Sequence, residues 1–465
     1  MIARRARILG GISGATLLSL AAPALVAAHT LNPTYTSRLP LAVYLAGAAT
    51  TVALSFIFVL VRDVRAERPV VTEGRLPPAP LRVALRAIGL IGWAWIIAQG
   101  IAGGASSAEV TTLFLWVYGW VGVAMLCALV GPVWHFLDPF STLFDIGAWV
   151  IRRAGVSPWE VADYPARVGR WPAVAGFAFV IWVELVLAPE PAILFVILVG
   201  YTALTLAMMA QFGRDAWRAK AEIFTVWFRL LGRLAPFGLA DESGRVRRRG
   251  FASGLLESGW RMSDVVMIGL GVGSILFDGL SQTQIWFDVF GFPHIAPETL
   301  LLAGFLGIIC LAAFAVTRVV GIAATGAGLL PIAVGYLIAH YLTYLLIDGQ
   351  RIVIALSDPL QRGWDIFGTA FSEPSGAWLP PGLVWTIQLA SVVGGHMLGA
   401  WAGHVVARLE APSELVGRSL TLRQVPLAVV MVALTTLTLW SLGQSLVVSP
   451  ENGAAAAQAV ATSRG

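Results

Sequence analysis

Charged residues are scarce in this sequence, since Asp, Glu, Lys and Arg together make up 12% of its 465 residues. Soluble domains carry about 25% charged residues, so the composition excludes an ordinary soluble globular protein. Cysteine is nearly absent: Cys127 and Cys310 both lie in apolar runs, which excludes a disulfide framework and a CxxC metal motif. Lys and Arg exceed Asp and Glu by only five. An excess this small argues against nucleic acid as a partner.

Hydrophobic residues, in contrast, make up 57% of the chain, which indicates an integral membrane protein. The N-terminal segment has its own pattern. Arg4, Arg5 and Arg7 precede an apolar run over 8–25, and small residues follow at 26–28. This pattern predicts a signal peptide over residues 1–28, or an uncleaved signal anchor that looks much the same. Cleavage would leave His29 as the first residue.

After His29 the sequence contains ten apolar windows of about 20 residues, the length needed to cross a bilayer. We therefore predict an all-α, polytopic helical membrane protein with about ten transmembrane helices. It forms a single membrane domain over 29–448 and ends in a flexible tail over 449–465. The predicted spans are 41–61, 83–103, 111–130, 171–188, 191–211, 263–280, 299–317, 328–347, 383–407 and 427–448.

The distribution of basic residues predicts the orientation of these spans. If the mature chain starts outside, 24 Lys and Arg residues fall on the cytoplasmic side and four fall outside. Such a bias is the positive-inside pattern of a multi-pass protein of the cell (plasma) membrane, here with both mature termini outside. In the longest cytoplasmic loop, aromatic and basic residues alternate over 214–231. We expect this segment to form an amphipathic helix on the anionic inner surface of the lipid bilayer.

Three ionisable residues lie deep inside predicted spans: Glu184, His340 and His396. At about 1.5 Å of rise per residue, each falls roughly 17 to 20 Å from the cytoplasmic end of its span. A buried ionisable group needs a partner or a water-filled cavity, so we expect the three to form a site. One carboxylate and two imidazoles suit a divalent metal such as zinc, and they equally suit proton transfer. Each residue alone could also be a hydrogen-bonded structural residue.

Further polar residues lie near predicted span ends. Asp278, Asp348, His294 and His29 share the outer aqueous compartment and could form an acidic, histidine-bearing mouth, although ordinary solvated loops explain them equally simply. A terminal His29 could bind copper through its α-amino and ring nitrogens. His404 lies near the inner interface and is interpreted as an interfacial polar residue.

Several stretches resemble the actinobacterial integral membrane proteins named fenitrothion hydrolase, and the likeness runs over most of the chain. The matching stretches are GPVW at 131–134, WVEL at 182–185, AEIF at 221–224, LAPFG at 234–238, FDGLSQT at 277–283, LPIA at 330–333 with the following His340 and Tyr341, DGQ at 348–350, SDP at 357–359, RGWD at 362–365, and the pair His396 and His404. The family name implies hydrolysis of an organophosphorus triester, a small apolar substrate, with release of a phenol.

Three functions follow from these observations. In the first, Glu184, His340 and His396 bind a divalent metal that activates water against a phosphotriester. In the second, a transporter or proton-coupled channel uses the same residues as a relay. In the third, His340 and His396 are axial ligands of a haem or copper redox centre. The sequence does not indicate an oligomeric state.

Overall fold

The computed structural model describes residues 70–102, 109–155, 161–291, 294–411 and 418–442, together with positions 47, 50 and 54. Within these residues the protein is mainly helical, and its only named strands are β1 (Phe237–Leu239) and β2 (Val246–Arg248), which pair in an antiparallel hairpin. The prediction of an all-α polytopic helical protein is confirmed at this level.

Eight helices are long and apolar enough to cross a membrane. They are α1 (Ala79–Ala102), α2 (Val110–Leu129), α6 (Pro191–Phe212), α9 (Met262–Ser281), α11 (Ile295–Val320), α12 (Ile322–Asp348, continued by α13, Arg351–Ser357), α14 (Pro381–Glu410) and α15 (Arg418–Leu442). A shorter apolar helix, α5 (Trp171–Leu187), has 17 residues, and its last turn, which begins at Val183, is π-helical.

These helices coincide with nine of the ten predicted windows, eight at full spanning length and one, α5, below it. The remaining window, 41–61, lies outside the described residues except for positions 47, 50 and 54. The predicted signal segment 1–28 and the tail 449–465 also lie outside them. The described residues therefore contain eight spans by length and composition, and the prediction of about ten is not tested in full.

Contacts between helix ends define two ends of the bundle. Arg170, just before α5, pairs with Asp264 at the start of α9 (2.6 Å). At the opposite end, Arg362 donates to the backbone carbonyl of Ala102 at the end of α1 (3.2 Å). We call the first the basic end, because the arginines of 214–261 gather there, and the second the distal end, where α9 and α12 finish.

The basic end is covered by a cap of short elements. These are α3 (Val133–Leu137), α4 (Pro139–Arg153), α7 (Arg214–Lys220), α8 (Ile223–Leu231) and the β1–β2 hairpin. Eight of the nine α8 residues are buried. Trp227 packs on Phe177 (4.7 Å between ring centroids) and fills the space beside Gly271 of α9. The prediction of an amphipathic helix on the membrane surface is thus wrong for α8, because its aromatic residues pack into the protein.

At the centre of the bundle, α12 and α14 approach each other closely through glycine. A Cβ on Gly399 of α14 would lie 2.2 Å from the Gly328 carbonyl oxygen, and a Cβ on Gly335 would lie 2.4 Å from that of Ser391. Small residues at such a contact let helix backbones meet and pack, which drives helix association in a bilayer. α9 and α12 are the most enclosed spans, each with 89% of its apolar window buried. Ionisable residues on their inner faces are therefore held away from lipid.

Candidate functional site

Two buried ionisable residues near the distal end are Asp278 of α9 and His340 of α12, which are 6% and 5% exposed. The His340 Nε2 atom lies 2.8 Å from the Asp278 Oδ2 atom. The Tyr341 hydroxyl donates to the same oxygen at 3.1 Å, and the Gln282 amide donates to Oδ1 at 2.7 Å. One carboxylate thus receives hydrogen bonds from three side chains, which compensates the cost of burying it.

Glu184 lies beside this cluster. It sits in the π-helical last turn of α5 and accepts a hydrogen bond from the Trp120 side chain of α2. Glu184 lies within electrostatic range of Asp278 and of Tyr341, so the two carboxyl groups belong to one cluster. Local π-helix often marks functional positions in helical proteins. We call Glu184, Asp278, Gln282, His340 and Tyr341 the distal cluster.

His396 does not join the distal cluster. Its Nδ1 atom lies 2.7 Å from the Val392 carbonyl oxygen, and its Nε2 atom lies 3.5 Å from the Tyr336 hydroxyl. Gln388 of α14 donates to the Ala339 carbonyl oxygen, so α14 is level with His340 at about residue 388. Eight residues at a rise of about 1.5 Å then separate His396 from His340 by roughly 12 Å along the bundle.

The expectation that the three residues lie at one depth is therefore wrong for His396. The cause is a helix boundary: α12 begins at Ile322, six residues before the predicted start of its span. His340 is consequently farther from the basic end than the apolar window suggested. Apolar windows locate spans well, but their ends differ from the helix ends by several residues.

A divalent metal was one expectation for Glu184, His340 and His396, and their arrangement tests it. Among the described residues, which include all three, no group of three or more His, Cys, Asp or Glu side chains could hold a metal ion. Both ring nitrogens of His396 face protein atoms, and His340 Nε2 faces Asp278. These three residues do not fit the predicted metal centre. His340 and His396 do not fit as axial ligands of a haem or copper either, because their ring nitrogens contact protein atoms.

The predicted outer-mouth residues separate in the structure. Asp278 is buried in the distal cluster rather than solvated at a mouth. Asp348 forms an ion pair with Arg351 (3.1 Å), three residues along the chain. His294 is exposed at the start of α11. His29 lies outside the described residues.

Sequence reasoning missed Tyr341, Gln282 and Trp120 as members of the site. Two of them had a usable signal. Gln282 follows Asp278 by four residues, the spacing at which side chains meet on a helix, and Tyr341 is adjacent to His340. Trp120 had no signal, because its contact with Glu184 joins two helices that are far apart in sequence.

A second group of buried carboxylates lies in the basic-end cap and contacts different partners. Asp138 caps α4 by accepting from the backbone N–H groups of Phe140 (2.9 Å) and Ser141 (3.2 Å), and it forms a buried ion pair with Arg218 (3.0 Å). Glu222 caps α8 and also accepts from the Tyr201 hydroxyl (2.5 Å). Helix caps satisfy N–H groups that have no partner within the helix. These carboxylates therefore have a structural role.

His135, in the cap at the basic end, lies among arginine side chains. Burial, and then the positive charges of Arg218 and Arg229, lower the pKa of His135 from 6.5 to about 3. The Arg218 guanidinium also contacts the His135 backbone carbonyl oxygen at 3.4 Å. His135 is thus a neutral member of a positively charged shell.

Known proteins offer no independent assignment of this arrangement. The function is therefore inferred from the contacts of the distal cluster and from the resemblance of the quoted sequence stretches. Comparison with protein-family models, with curated proteins and with solved structures finds no match to this chain.

Proposed function

We propose that this protein moves protons across a membrane, as a proton-coupled transporter or channel, and that the distal cluster is its proton-exchange site. One observation supports this most directly. His340 and Asp278 form a 2.8 Å contact inside the most enclosed pair of spans, with Glu184 in electrostatic range. Ionisable residues at such positions in membrane proteins commonly mark proton paths.

The unequal surroundings of the two carboxylates suit proton exchange. Asp278 receives three side-chain hydrogen bonds, whereas Glu184 receives one, from Trp120. Neighbouring carboxylates in different environments hold a proton with different strength, so one can donate while the other accepts. The His340 imidazole can accept a proton on one nitrogen and release one from the other. Together these groups can take a proton from one side and pass it on.

The proposal also includes the orientation of the protein in the membrane. The cap with its arginines lies at the basic end, and basic residues favour the cytoplasmic face of a multi-pass protein. We therefore place the basic end in the cytoplasm, the distal cluster in the outer half of the cell membrane, and the mature termini outside. Labelling of single cysteines introduced at Asp288, near the distal end, and at Asp241, in the cap, with an impermeant reagent on whole cells tests this directly.

Proton flux into liposomes tests the function. Purified protein is reconstituted with a pH-sensitive dye inside, and a pH gradient is imposed with the membrane potential clamped. We expect the protein to acidify the interior, and Asp278→Asn to reduce the rate by roughly tenfold or more, because general acid–base groups contribute at least that much. The amide keeps the size of the side chain but cannot take up the proton.

The matched control is Asp288→Asn. Asp288 is exposed on α10 (Gln284–Phe290) at the same end of the bundle, where its partner is the Gln284 amide at 2.8 Å. We expect this variant to conduct like the wild type. Wild-type protein that shows no flux in either direction of the gradient, or an Asp278→Asn variant that conducts normally, would rule out the proposal.

Hydrolysis of a phosphotriester is the second candidate, and one contact favours it. An imidazole held by a carboxylate is the usual arrangement of a general base, and His340 is held in this way by Asp278. His340 could then activate water directly, without a metal. The fenitrothion hydrolase resemblance supplies the substrate class, an apolar organophosphorus triester.

Release of the nitrophenol from fenitrothion, followed by absorbance, separates the two candidates. A hydrolase should release phenol with multiple turnovers and lose roughly a hundredfold in rate in His340→Gln. A proton carrier should show flux and no release. His294→Gln is the control for this change, because His294 is an exposed histidine.

A further inference from the structure

A cavity lies in the cap at the basic end, and arginine side chains line it. Its charged lining residues are Arg170, Arg229, Arg233, Arg247, Arg249 and Glu257. The volume of the cavity is about 150 Å³. Since a water molecule occupies about 30 Å³ of the liquid, this space suits a single phosphate group rather than a whole nucleotide.

Two of the lining arginines each pair with a separate carboxylate. Arg170 pairs with Asp264 and Arg229 pairs with Glu242, both at 2.6 Å. A guanidinium has five N–H groups, and in the described part of the chain each of these arginines contacts its carboxylate through one nitrogen. Both side chains are partly exposed, so solvent reaches the lining. Arg170 and Arg229 therefore keep N–H groups for a further acceptor.

The other three lining arginines share one carboxylate. Arg247 contacts one oxygen of Glu257 (2.6 Å), and Arg249 contacts the other (2.7 Å). Arg233 forms no ion pair with a carboxylate among the described residues. Its guanidinium donates to the backbone carbonyls of residues 254, 257 and 258 and stacks on Trp260 (4.1 Å to the ring centroid). Five arginines thus face three carboxylates around the cavity, which leaves an excess of two positive charges.

The Arg249 side chain is held in place by the cap. It is 3% exposed and donates to the backbone carbonyls of Gly232 (2.6 Å) and Ala235 (3.1 Å). Glycine at position 254 makes room for it, because a Cβ there would lie 2.2 Å from the guanidinium carbon. A group that is already fixed loses little conformational freedom when it binds a ligand. This part of the lining is therefore preformed.

Two buried N–H donors of the lining lack an acceptor. The Nε atoms of Arg170 and Arg247 are buried, and neither has a hydrogen-bond partner within the described ranges. Most buried donors in folded proteins are paired with protein, water or an ion, because an unpaired one is costly. An anion in the cavity would supply acceptors next to these arginines.

The positive charge around the cavity also affects the neighbouring ionisable groups. Burial, and then the charges of nearby arginines, lower the pKa of His135, which is part of the lining, to about 3. Burial is also the main reason why the pKa of Arg233 is lowered to about 10, and the charges of Arg170 and Arg249 add to it. A negative charge in the cavity would reduce the repulsion among these cations.

We propose that this cavity binds an anion that carries a phosphate group, supplied by a soluble phosphate compound or by the headgroup of an anionic lipid. A phosphate monoester has a charge of about −1.5 to −2 at pH 7, which matches the excess of two positive charges. Guanidinium groups bind phosphate oxygens through paired hydrogen bonds. A chloride ion or a carboxylate has a single charge and would leave part of the excess uncompensated. The site does not depend on the proposed proton movement.

Equilibrium dialysis with radiolabelled inorganic phosphate tests the site. The full-length protein is purified in an uncharged detergent, in phosphate-free chloride buffer at about pH 7, where phosphate has most of its charge. We expect saturable binding of one phosphate per chain. Arg229→Gln and Arg247→Gln should each weaken it roughly tenfold or more, because each removes hydrogen bonds to a charged group. Both variants should fold, since Glu257 keeps Arg249 as a partner and Glu242 is partly exposed.

Matched controls remove the same charge from nearby positions that do not line the cavity. Arg248 follows Arg247 on β2 and is exposed, and successive side chains of a strand lie on opposite faces. Arg245 resembles Arg229, because it also forms an ion pair near the surface, with Asp241. Arg248→Gln and Arg245→Gln should bind phosphate like the wild type.

Glu242→Gln tests the charge balance in the opposite direction. Glu242 pairs with Arg229 and is not part of the lining. The amide keeps the size of the side chain and removes one negative charge, so phosphate should bind roughly two- to fivefold more tightly. Unfolding would weaken binding, so it cannot explain such a gain.

Competition identifies the source of the phosphate group. Phosphatidate and glycerol 3-phosphate carry the same phosphate monoester, with and without the acyl chains, and phosphatidylcholine is the lipid control. Displacement of labelled phosphate by phosphatidate at roughly tenfold lower concentration than by glycerol 3-phosphate, with none by phosphatidylcholine, assigns a lipid headgroup. Displacement by both monoesters at similar concentrations assigns a soluble phosphate compound.

The outcomes decide the proposal without a flux measurement. Saturable binding that is weakened in Arg229→Gln and Arg247→Gln, and kept in the two control variants, supports the site. Wild-type protein that binds neither inorganic phosphate nor phosphatidate overturns it. An equal loss in all four variants also overturns it, because that result indicates general attraction to a positive surface. The proton function is judged separately, by flux in liposomes.

Discussion

The basic-end cap and the distal cluster both bury carboxylates, but they satisfy them differently. In the cap, Asp138 and Glu222 accept from backbone N–H groups at helix starts; Asp138 also pairs with Arg218, and Glu222 also accepts from the Tyr201 hydroxyl. In the distal cluster, Asp278 accepts from His340, Tyr341 and Gln282, all through side chains. A backbone donor cannot exchange its proton readily, whereas an imidazole can, and of these three carboxylates Asp278 is the one that contacts an imidazole.

The difference teaches that burial of a charge does not by itself identify a functional site. The hydrogen-bond partners of the buried carboxylate indicate its role. Carboxylates fixed by caps and guanidinium groups stabilise the fold, and their loss should destabilise the protein. Carboxylates held by exchangeable groups contribute less to stability and more to function. The following variants test this contrast through thermal unfolding in detergent.

Asp138→Ala should have the largest effect. It leaves Arg218, whose side chain is 3% exposed, without its buried partner, and it uncaps α4. Breaking a buried ion pair by removing one partner costs about 3 to 5 kcal/mol. Asp145→Ala on the same helix is the control, because Asp145 pairs with Arg214 and Arg86 at a partly exposed position and should cost under about 1 kcal/mol. Equal losses in the two variants would contradict the structural role of Asp138.

Acid should destabilise the cap through His135. Because burial and the Arg218 charge lower the pKa of His135 to about 3 in the folded protein, only the unfolded chain binds a proton as the pH falls below 6.5. Stability is therefore complete above pH 6.5 and decreases as the pH falls from there towards 3. At pH 5 the loss should reach about 2 kcal/mol. His135→Gln should flatten this part of the melting profile, and an unchanged profile would exclude His135 as its source.

Glu222→Ala should cost about 1 to 2 kcal/mol, because it removes the acceptor for the Phe224 and Thr225 N–H groups at the start of α8. Glu222→Gln keeps one acceptor oxygen and should retain most of that stability. If alanine and glutamine melt alike, the cap is not the source of the stabilisation.

Asp278→Asn should have the smallest effect on stability, below about 1 kcal/mol, since the amide oxygen can still accept from Tyr341. Proton flux, in contrast, should be lost. A loss of stability as large as that of Asp138→Ala would remove the distinction between the two regions.

Much of the fold could be predicted from the sequence, and the reason is hydropathy. Helices α1, α2, α6 and α9 agree with predicted windows to within about four residues. The start of α12 differed by more, because residues 323–327 near its beginning are small and only weakly apolar. That error changed the inferred depth of His340 relative to His396. The aromatic segment of α8 was misread for a related reason: alternating aromatic and basic residues suit a membrane surface and a buried protein interface equally.

The candidate site could be predicted only in part. Glu184 and His340 stood out as ionisable residues inside apolar runs, and Asp278 stood out at the end of one. The pairing of Asp278 with His340 depends on how α9 lies against α12, and the Trp120 contact depends on α2 and α5. Such contacts join residues 62 or more positions apart, for which one sequence contains no distance information.

The sequence by itself determined that the chain forms apolar helices of spanning length. Backbone N–H and C=O groups without hydrogen-bond partners are too costly in a bilayer, and a helix pairs these groups within one segment. It also determined which few ionisable groups had to be explained. The tertiary structure alone decided which of them meet, because side-chain partners across helices are set by packing of small residues such as Gly335 and Gly399. For this reason two carboxylates of similar burial, Asp138 and Asp278, have different partners and, we infer, different roles.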